Sequence, residues 1–224
     1  LALLELDTKN STKKCIIMIK KQYDTEKYPF LKLLSLVFGT KNLHLLHEGY
    51  ESDVLKREND QKTPFHKKYY DNFQYFKPVY DDFIKEIVMP EFGEPIVYQK
   101  IPTFRIQMPG NVGVGEWHKD KQYNHNQAEI NFFLPFTDAF DTNTIWAESE
   151  EDKGDYSPLE AKYGEFIIWE GVRLMHGNKL NQTNRSRVSV DFRIVPYSKW
   201  TVQEGSAINT GIKFDIGGYY ELCK

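Results

Sequence analysis

Trp117-His118-Lys119-Asp120 is the sharpest chemical signal in the chain. Residues two apart on a strand point the same way, so this spacing predicts that His118 and Asp120 aim an imidazole and a carboxylate at one point. A second histidine, His176, stands 56 residues after Asp120 in Met175-His176-Gly177-Asn178, on or beside another predicted strand. Two imidazoles and one carboxylate on rigid strands form a facial set. It occupies three positions on a metal and leaves three open, which suits non-haem iron. Eleven residues beyond His176 comes Arg187-Val188-Ser189-Val190-Asp191-Phe192-Arg193, where alternation places Arg187, Ser189, Asp191 and Arg193 on one face. Arg187 and Ser189 together can grip a carboxylate through a forked pair and a hydroxyl. Taken singly, His-x-Asp, one histidine or a strand arginine is ordinary surface chemistry. The signal is their joint order, a metal set followed on the next strand by a carboxylate clamp.

Other residues offer weaker signals. Asn131 sits mid-strand among apolar neighbours, and a buried amide there needs a partner, either a cosubstrate carboxylate or a structural hydrogen bond. Arg105 and Gln107 share a face of the strand before the metal motif, and Trp146 and Glu148 share one on a later strand; either pair can reach substrate or serve packing and surface pairing. His125 follows Asp120 closely enough for a local zinc site with His118, but a turn at Gln122-Tyr123-Asn124 intervenes. His44 and His47 lack the carboxylate of a His-Glu-x-x-His helix and read as an amphipathic surface. Gly110, Gly113 and Gly115 match no phosphate-binding fingerprint and read as a turn into the metal-bearing strand. The acidic run Glu148-Ser149-Glu150-Glu151-Asp152 is either a solvated loop or a cover whose charge suits a cationic or hydroxyl-rich substrate.

The elements that must position these groups change character along the chain. Up to residue 93 the pattern is mainly helical. Phe30, Leu33, Leu34, Val37 and Phe38 form one stripe, opened by Pro29 and stopped by Gly39. Val79, Phe83, Ile84, Ile87 and Val88 form another, opened by Pro78 and closed by Pro90, with a third helix over 64–75 and a polar loop over 50–62. From residue 94 to 196, eight short β-rich segments are predicted, over 96–100, 103–108, 115–121, 129–134, 143–149, 165–170, 172–178 and 186–195. Eight is the number a jelly roll needs. The 150–164 connection is long enough to expect a function for it. Residues 197–224 read as a C-terminal extension, and the whole as a single domain.

The residues Trp117-His-Lys-Asp120, Glu129-Ile-Asn-Phe-Phe-Leu-Pro135, Thr144-Ile-Trp-Ala-Glu-Ser149, His176-Gly-Asn178 and Arg187-Val-Ser-Val-Asp-Phe-Arg193 resemble the Fe(II)/2-oxoglutarate-dependent oxygenases. The branch is the streptomycin-biosynthesis type, related to phytanoyl-CoA dioxygenases, and the resemblance covers roughly residues 96–196. It implies a mainly β fold, a double-stranded β-helix of the jelly-roll, cupin-like kind, with N-terminal helices outside it. It implies that His118, Asp120 and His176 bind Fe(II). Arg187, one pleat from Arg185 and three from Arg193, would anchor 2-oxoglutarate, with Ser189 and Asn131 beside it. Arg105, Gln107, Trp146 and Glu148 are the candidates for substrate contact. With O₂, such an enzyme oxidises a C–H bond and releases succinate and CO₂. The iron halogenases of this superfamily have Gly or Ala where Asp120 stands, so Asp120 favours hydroxylation or a related oxidation over halogenation.

Composition narrows the class. The 224 residues carry 29 Lys plus Arg against 32 Asp plus Glu, a formal charge of −3, which argues against general nucleic-acid binding. Hydrophobic residues at 40% and charged residues at 27% are globular proportions. No apolar run approaches the ~18 residues a membrane span needs. Cys15 and Cys223 make no disulfide framework, and Leu1–Leu6 lacks the basic start of a signal peptide, so the expectation is cytoplasmic. The three triplets at Asn10, Asn181 and Asn184 then read as chance rather than glycosylation sites. A small-molecule substrate is expected, with a protein side chain as substrate or a non-catalytic metal-binding jelly-roll module as the alternatives, and with no nucleic-acid or membrane partner; the oligomeric state is open.

Overall fold

A computed structural model describes residues 18–50, 62–113, 116–123, 125–202, 205–207 and 211–224. In chain order the elements are strand β1 (Ile19–Gln22), helices α1 (Phe30–Phe38), α2 (Pro64–Asp71) and α3 (Phe73–Phe83), then strands β2 (Ile96–Gln99), β3 (Thr103–Gln107), β4 (Ile130–Pro135), β5 (Ile145–Ala147), β6 (Ser157–Pro158), β7 (Glu165–Trp169), β8 (His176–Asn178), β9 (Arg187–Pro196) and β10 (Tyr220–Cys223). The expectations for Cys15, Asn10 and Gly115, and most of the 50–62 loop, lie outside the described residues.

Two sheets face each other, as in a jelly roll. The major sheet runs β1-β7-β4-β9-β2-β10, with β3 also paired to β9, and the minor sheet runs β6-β5-β8. An isolated antiparallel bridge between His118 and His176 adds the segment before Asp120 to the free edge of β8. Antiparallel register fixes which side chains share a face. On β9, Arg187 lies opposite Gln107, and Ser189 opposite both Arg105 and Pro135. Arg193 lies opposite Asn131, and Asn131 opposite Trp169. All these residues therefore line the inner face, toward the minor sheet.

The alternate residues, Phe104, Ile106, Phe132, Leu134, Phe166, Val188, Val190, Phe192 and Ile194, form one cluster with Phe30, Phe76, Tyr80 and Phe83 of α1 and α3. The helices thus close the outer face of the major sheet. Phe192 stacks on Phe132 at 4.8 Å and meets Tyr80 edge-on at 5.4 Å. α1 follows its sequence stripe from Pro29 to Gly39, whose φ of 75° is the left-handed conformation that glycine adopts freely.

Three expectations need correction. Pro78 lies inside α3 instead of opening a helix. Phe73, Phe76, Tyr80 and Phe83 are all buried, and their packing outweighs the backbone bond that the proline lacks. A π-helical stretch, Ile84–Val88, and a 3-10 turn, Met89–Glu91, follow in place of the helix end. Among the described residues of the strand expected over 115–121, the only β pairing is the bridge at His118, because Asp120–Tyr123 is a 3-10 turn. The strand over 172–178 shortens to β8, since Arg173 and Leu174 turn back to hydrogen-bond Glu170. The C-terminal stretch, unplaced by sequence, adds β10 against β2 and packs Tyr220 with Phe214, Val97 and Val195.

Candidate metal centre

His118 and His176 are held as a pair by reciprocal backbone hydrogen bonds of 2.9 Å. Asp120 reaches the same point from the turn that follows, with its own N–H bonded to the Gly171 carbonyl at 3.0 Å. One potential ligand atom from each of the three lies within 4.8 Å of the other two. Among the described residues this is the one such grouping of His, Cys, Asp and Glu. The Nε2 atoms of His118 and His176 stand 3.3 and 3.6 Å from Asp120 Oδ1. Each Nδ1 meets a backbone carbonyl, Glu116 at 2.6 Å for His118 and Leu174 at 2.9 Å for His176. A carbonyl only accepts, so both Nδ1 atoms carry hydrogen and both Nε2 lone pairs face the centre. Three acceptors converging with no donor between them is an arrangement a cation satisfies.

The surroundings fix the charge state. Burial pushes the His176 imidazole down to about 4, against the opposing pull of Asp120, so it is neutral and ready to ligate near pH 7. Burial alone would raise the Asp120 carboxyl, but the Arg193 guanidinium holds it well below the usual carboxylate range. Asp120 uses its two oxygens differently. Oδ2 accepts from Arg193 Nε at 3.0 Å, Arg193 Nη2 at 2.8 Å and Asn131 Nδ2 at 2.8 Å. Oδ1 is left for the centre. Arg193 also approaches Glu129 at 3.5 Å, and Glu129 in turn meets His125 at 3.0 Å and the Tyr220 hydroxyl. His125 therefore belongs to this supporting network and not to the triad.

A second cluster lies further along the inner face. Arg187, 2% exposed, donates to the Asn143 carbonyl at 2.8 Å, to Ser189 Oγ at 2.7 Å and to Gln107 Oε1 at 3.3 Å. Its guanidinium lies 5.7 Å from the Phe133 ring centroid. Gln107 donates to the Lys179 carbonyl at 2.7 Å. Arg105, on the same face, pairs with Asp191 at 2.8 Å. Apolar wall comes from Phe133, Ile167, Trp169, Ala147 and Leu174, with Trp169 edge-on to His176 at 4.7 Å.

The sequence candidates thus divide. His118, Asp120, His176 and Asn131 come together, and Arg187, Ser189 and Gln107 form a neighbouring group. Trp146 lies opposite Gly177, while Ala147 lies opposite His176. Trp146 is therefore on the far face of the minor sheet, where Lys179 covers its ring at 3.0 Å. Glu148 is buried and accepts the N–H groups of Met175 at 2.7 Å and Gly154 at 3.2 Å, so both oxygens hold backbone. His44 lies in a short 3-10 turn and His47 beyond it bonds Ser186. Sequence reasoning did not assign Arg193, Glu129 or Gly171 to the centre. A Cβ at Gly171 would come within 2.9 Å of the Asn131 amide, so that glycine makes room for the amide that holds Asp120. Strand alternation already put Arg193 on the inner face; its partner Asp120 sits on a turn, which alternation cannot place.

No protein-family model matches the chain. The streptomycin biosynthesis protein StrG of Streptomyces griseus is 36% identical over 200 residues, covering 89% of this chain and 96% of that protein. Among solved structures, the non-haem alpha-ketoglutarate-dependent carbocyclase SnoK from nogalamycin biosynthesis superposes with a TM-score of 0.51 at 12% identity, covering 92% of both chains. EctD from S. alaskensis with bound Fe gives 0.51 at 12% identity, covering 84% of this chain and 74% of its own. AviO1 from Streptomyces viridochromogenes gives 0.50 at 15% identity, covering 81% and 90%. These similarities establish the fold.

Proposed function

The chain belongs to the family of the streptomycin biosynthesis protein StrG, and on that premise we propose that it is an Fe(II)- and 2-oxoglutarate-dependent oxygenase that hydroxylates a small polar molecule. The observation that carries this reading is the convergence of His118 Nε2, His176 Nε2 and Asp120 Oδ1, with every other polar atom of those side chains held by the protein. Two imidazoles and one carboxylate are a donor set that fits Fe(II) and leaves coordination positions for other ligands. When bound, iron and 2-oxoglutarate supply the oxidising power, with O₂ consumed and succinate and CO₂ released.

The chain's own residues do the positioning. Asn131 and Arg193 hold Asp120 Oδ2, which leaves Oδ1 as its single ligand atom. Arg187 and Ser189 supply a guanidinium and a hydroxyl at one point of the inner face, a fit for the distal carboxylate of 2-oxoglutarate. Arg193 is committed to Asp120 and Glu129, which favours Arg187 as the anchor. Phe133 and Trp169 wall the space beside these groups with carbon. Asp120 provides a protein carboxylate at the centre, which favours hydroxylation over halogenation.

The test is anaerobic absorption spectroscopy of the purified protein with Fe(II), before and after 2-oxoglutarate. The expected result is a visible charge-transfer band that needs both additions and is lost in Asp120→Ala. Retained Fe(II) with no band would remove 2-oxoglutarate from the reading and leave a metal-binding jelly-roll module.

A further inference from the structure

The residues between and beside the three proposed ligands carry a second pattern, one of charge. Lys119 separates His118 from Asp120, and its ammonium meets Asp152 at 2.5 Å and Glu151 at 3.4 Å. Lys121, next after Asp120, meets the same Glu151 oxygen at 2.7 Å. Arg173, three residues before His176, reaches the other Glu151 oxygen at 3.4 Å. One carboxylate therefore joins cations from both ligand-bearing segments. Glu148 of the same loop accepts the N–H of Met175, the residue before His176. The remaining acids turn inward on the loop, Glu150 and Asp155 both pairing with Lys153 at 3.1 Å.

Isolated exposed pairs contribute little, and Asp152, with 79% of its side chain exposed, is close to that limit. Glu151 differs in having three cationic partners and a side chain 27% exposed, and the Lys119 side chain is only 7% exposed. The loop is also turned to the protein's own cations, which leaves it poorly suited to recognising a cationic substrate.

We propose that Glu151 is a positioning residue of the metal centre. It ties the segment carrying His118 and Asp120 to the segment leading into His176, so that the ligand atoms are assembled before the metal arrives. This rests on the metal reading above. The alternative is that Glu151 acts through its field alone, attracting any nearby cation.

The two accounts differ in sign for one variant. The probe is Co(II), titrated into the metal-free full-length protein and followed by visible absorption, for the wild type, Glu151→Gln and Arg173→Gln. If Glu151 positions the ligands, both variants weaken Co(II) binding, by about three- to tenfold at low ionic strength. The loss shrinks at roughly 1 M salt, where exposed pairs are screened. If only the field acts, Arg173→Gln removes a positive charge and tightens binding. Binding by Arg173→Gln that equals or exceeds the wild type, or unchanged binding in Glu151→Gln, overturns the proposal. Far-UV circular dichroism of both variants confirms that each is folded. A wild type that binds Co(II) no better than His176→Ala would instead overturn the metal reading itself, which keeps the two failures distinct.

Discussion

The two faces of β9 do different work with the same backbone. Outward, Val188, Val190, Phe192 and Ile194 are fully buried against the helical layer. Inward, Arg187, Ser189, Asp191 and Arg193 are tied into hydrogen bonds and ion pairs with one another, with β3 and with the Asp120 turn. The outer face is held by carbon packing, which is non-directional and tolerates small shifts. The inner face is held by groups that must stay within hydrogen-bond distance, because each is costly to bury unpaired. Strand alternation lets one element serve both, so damage to either face should produce a different readout.

The largest expected effect is on the outer face. Phe192→Ala leaves a hole among Phe132, Tyr80 and Phe83, and should cost about 3–5 kcal/mol in urea denaturation. Variants that remain folded should bind metal with wild-type affinity. A large loss of metal affinity with little loss of stability would break the division between the faces.

His66 sharpens it from the same side. It packs edge-on to Phe104 at 5.3 Å, and burial pushes its imidazole down to about 4, with Arg105 acting in the same direction. Between an unfolded value of 6.5 and a folded value near 4, the unfolded chain takes up a proton that the folded chain refuses. Stability therefore falls as pH drops through that window, by up to about 3 kcal/mol from this residue. Denaturation midpoints from pH 7 to 4 should fall less steeply in His66→Gln than in the wild type. Parallel profiles would mean that His66 titrates alike in both states.

On the inner face, Arg187→Ala should weaken 2-oxoglutarate by about 100-fold, from the loss of charge-assisted hydrogen bonds. Fe(II) affinity, measured anaerobically, should change little. Arg193→Met should do the reverse, lowering metal affinity first, because its bonds go to Asp120. If the two variants exchange phenotypes, the anchor is Arg193 and Arg187 belongs to the metal-holding part of the inner face.

What was legible in the sequence follows the same line. Patterns of period two gave the shared face of Arg105 and Gln107 on β3 and that of Arg187 to Arg193 on β9, and the stripe of α1 gave its helix. Pro78 misled because local propensity carries no information about four buried aromatics packing around it. Trp146 and Glu148 were open between substrate contact and packing, and only register could decide, since it puts Ala147, between them, opposite His176. The grip on Asp120 was illegible because it joins residues 11 and 73 positions away. Gly171, which makes room for that grip, is a single small residue in a turn.

Asn131 offers the finest test, because the sequence left its amide a choice between a cosubstrate carboxylate and a structural bond. The structure gives that amide to Asp120 Oδ2 at 2.8 Å, on the side away from the ligand oxygen. Asn131→Leu is close in volume and removes only the donor, while Arg193 still holds Oδ2 from the neighbouring strand. Asp120 would then be free to swing about the arginine and offer either oxygen. Metal affinity should fall about tenfold, the scale seen when a group supporting a ligand is lost. At saturating metal, the affinity for 2-oxoglutarate should stay at the wild-type value. Gly171→Ala approaches the same amide from the other side, since its Cβ would press on the Asn131 amide at 2.9 Å, and should reproduce the loss in metal affinity without removing any polar atom. If either variant weakened 2-oxoglutarate and left metal binding alone, Asn131 would belong with Arg187 at the carboxylate end, and the separation of the inner face into a metal-holding half and a carboxylate-holding half would fail.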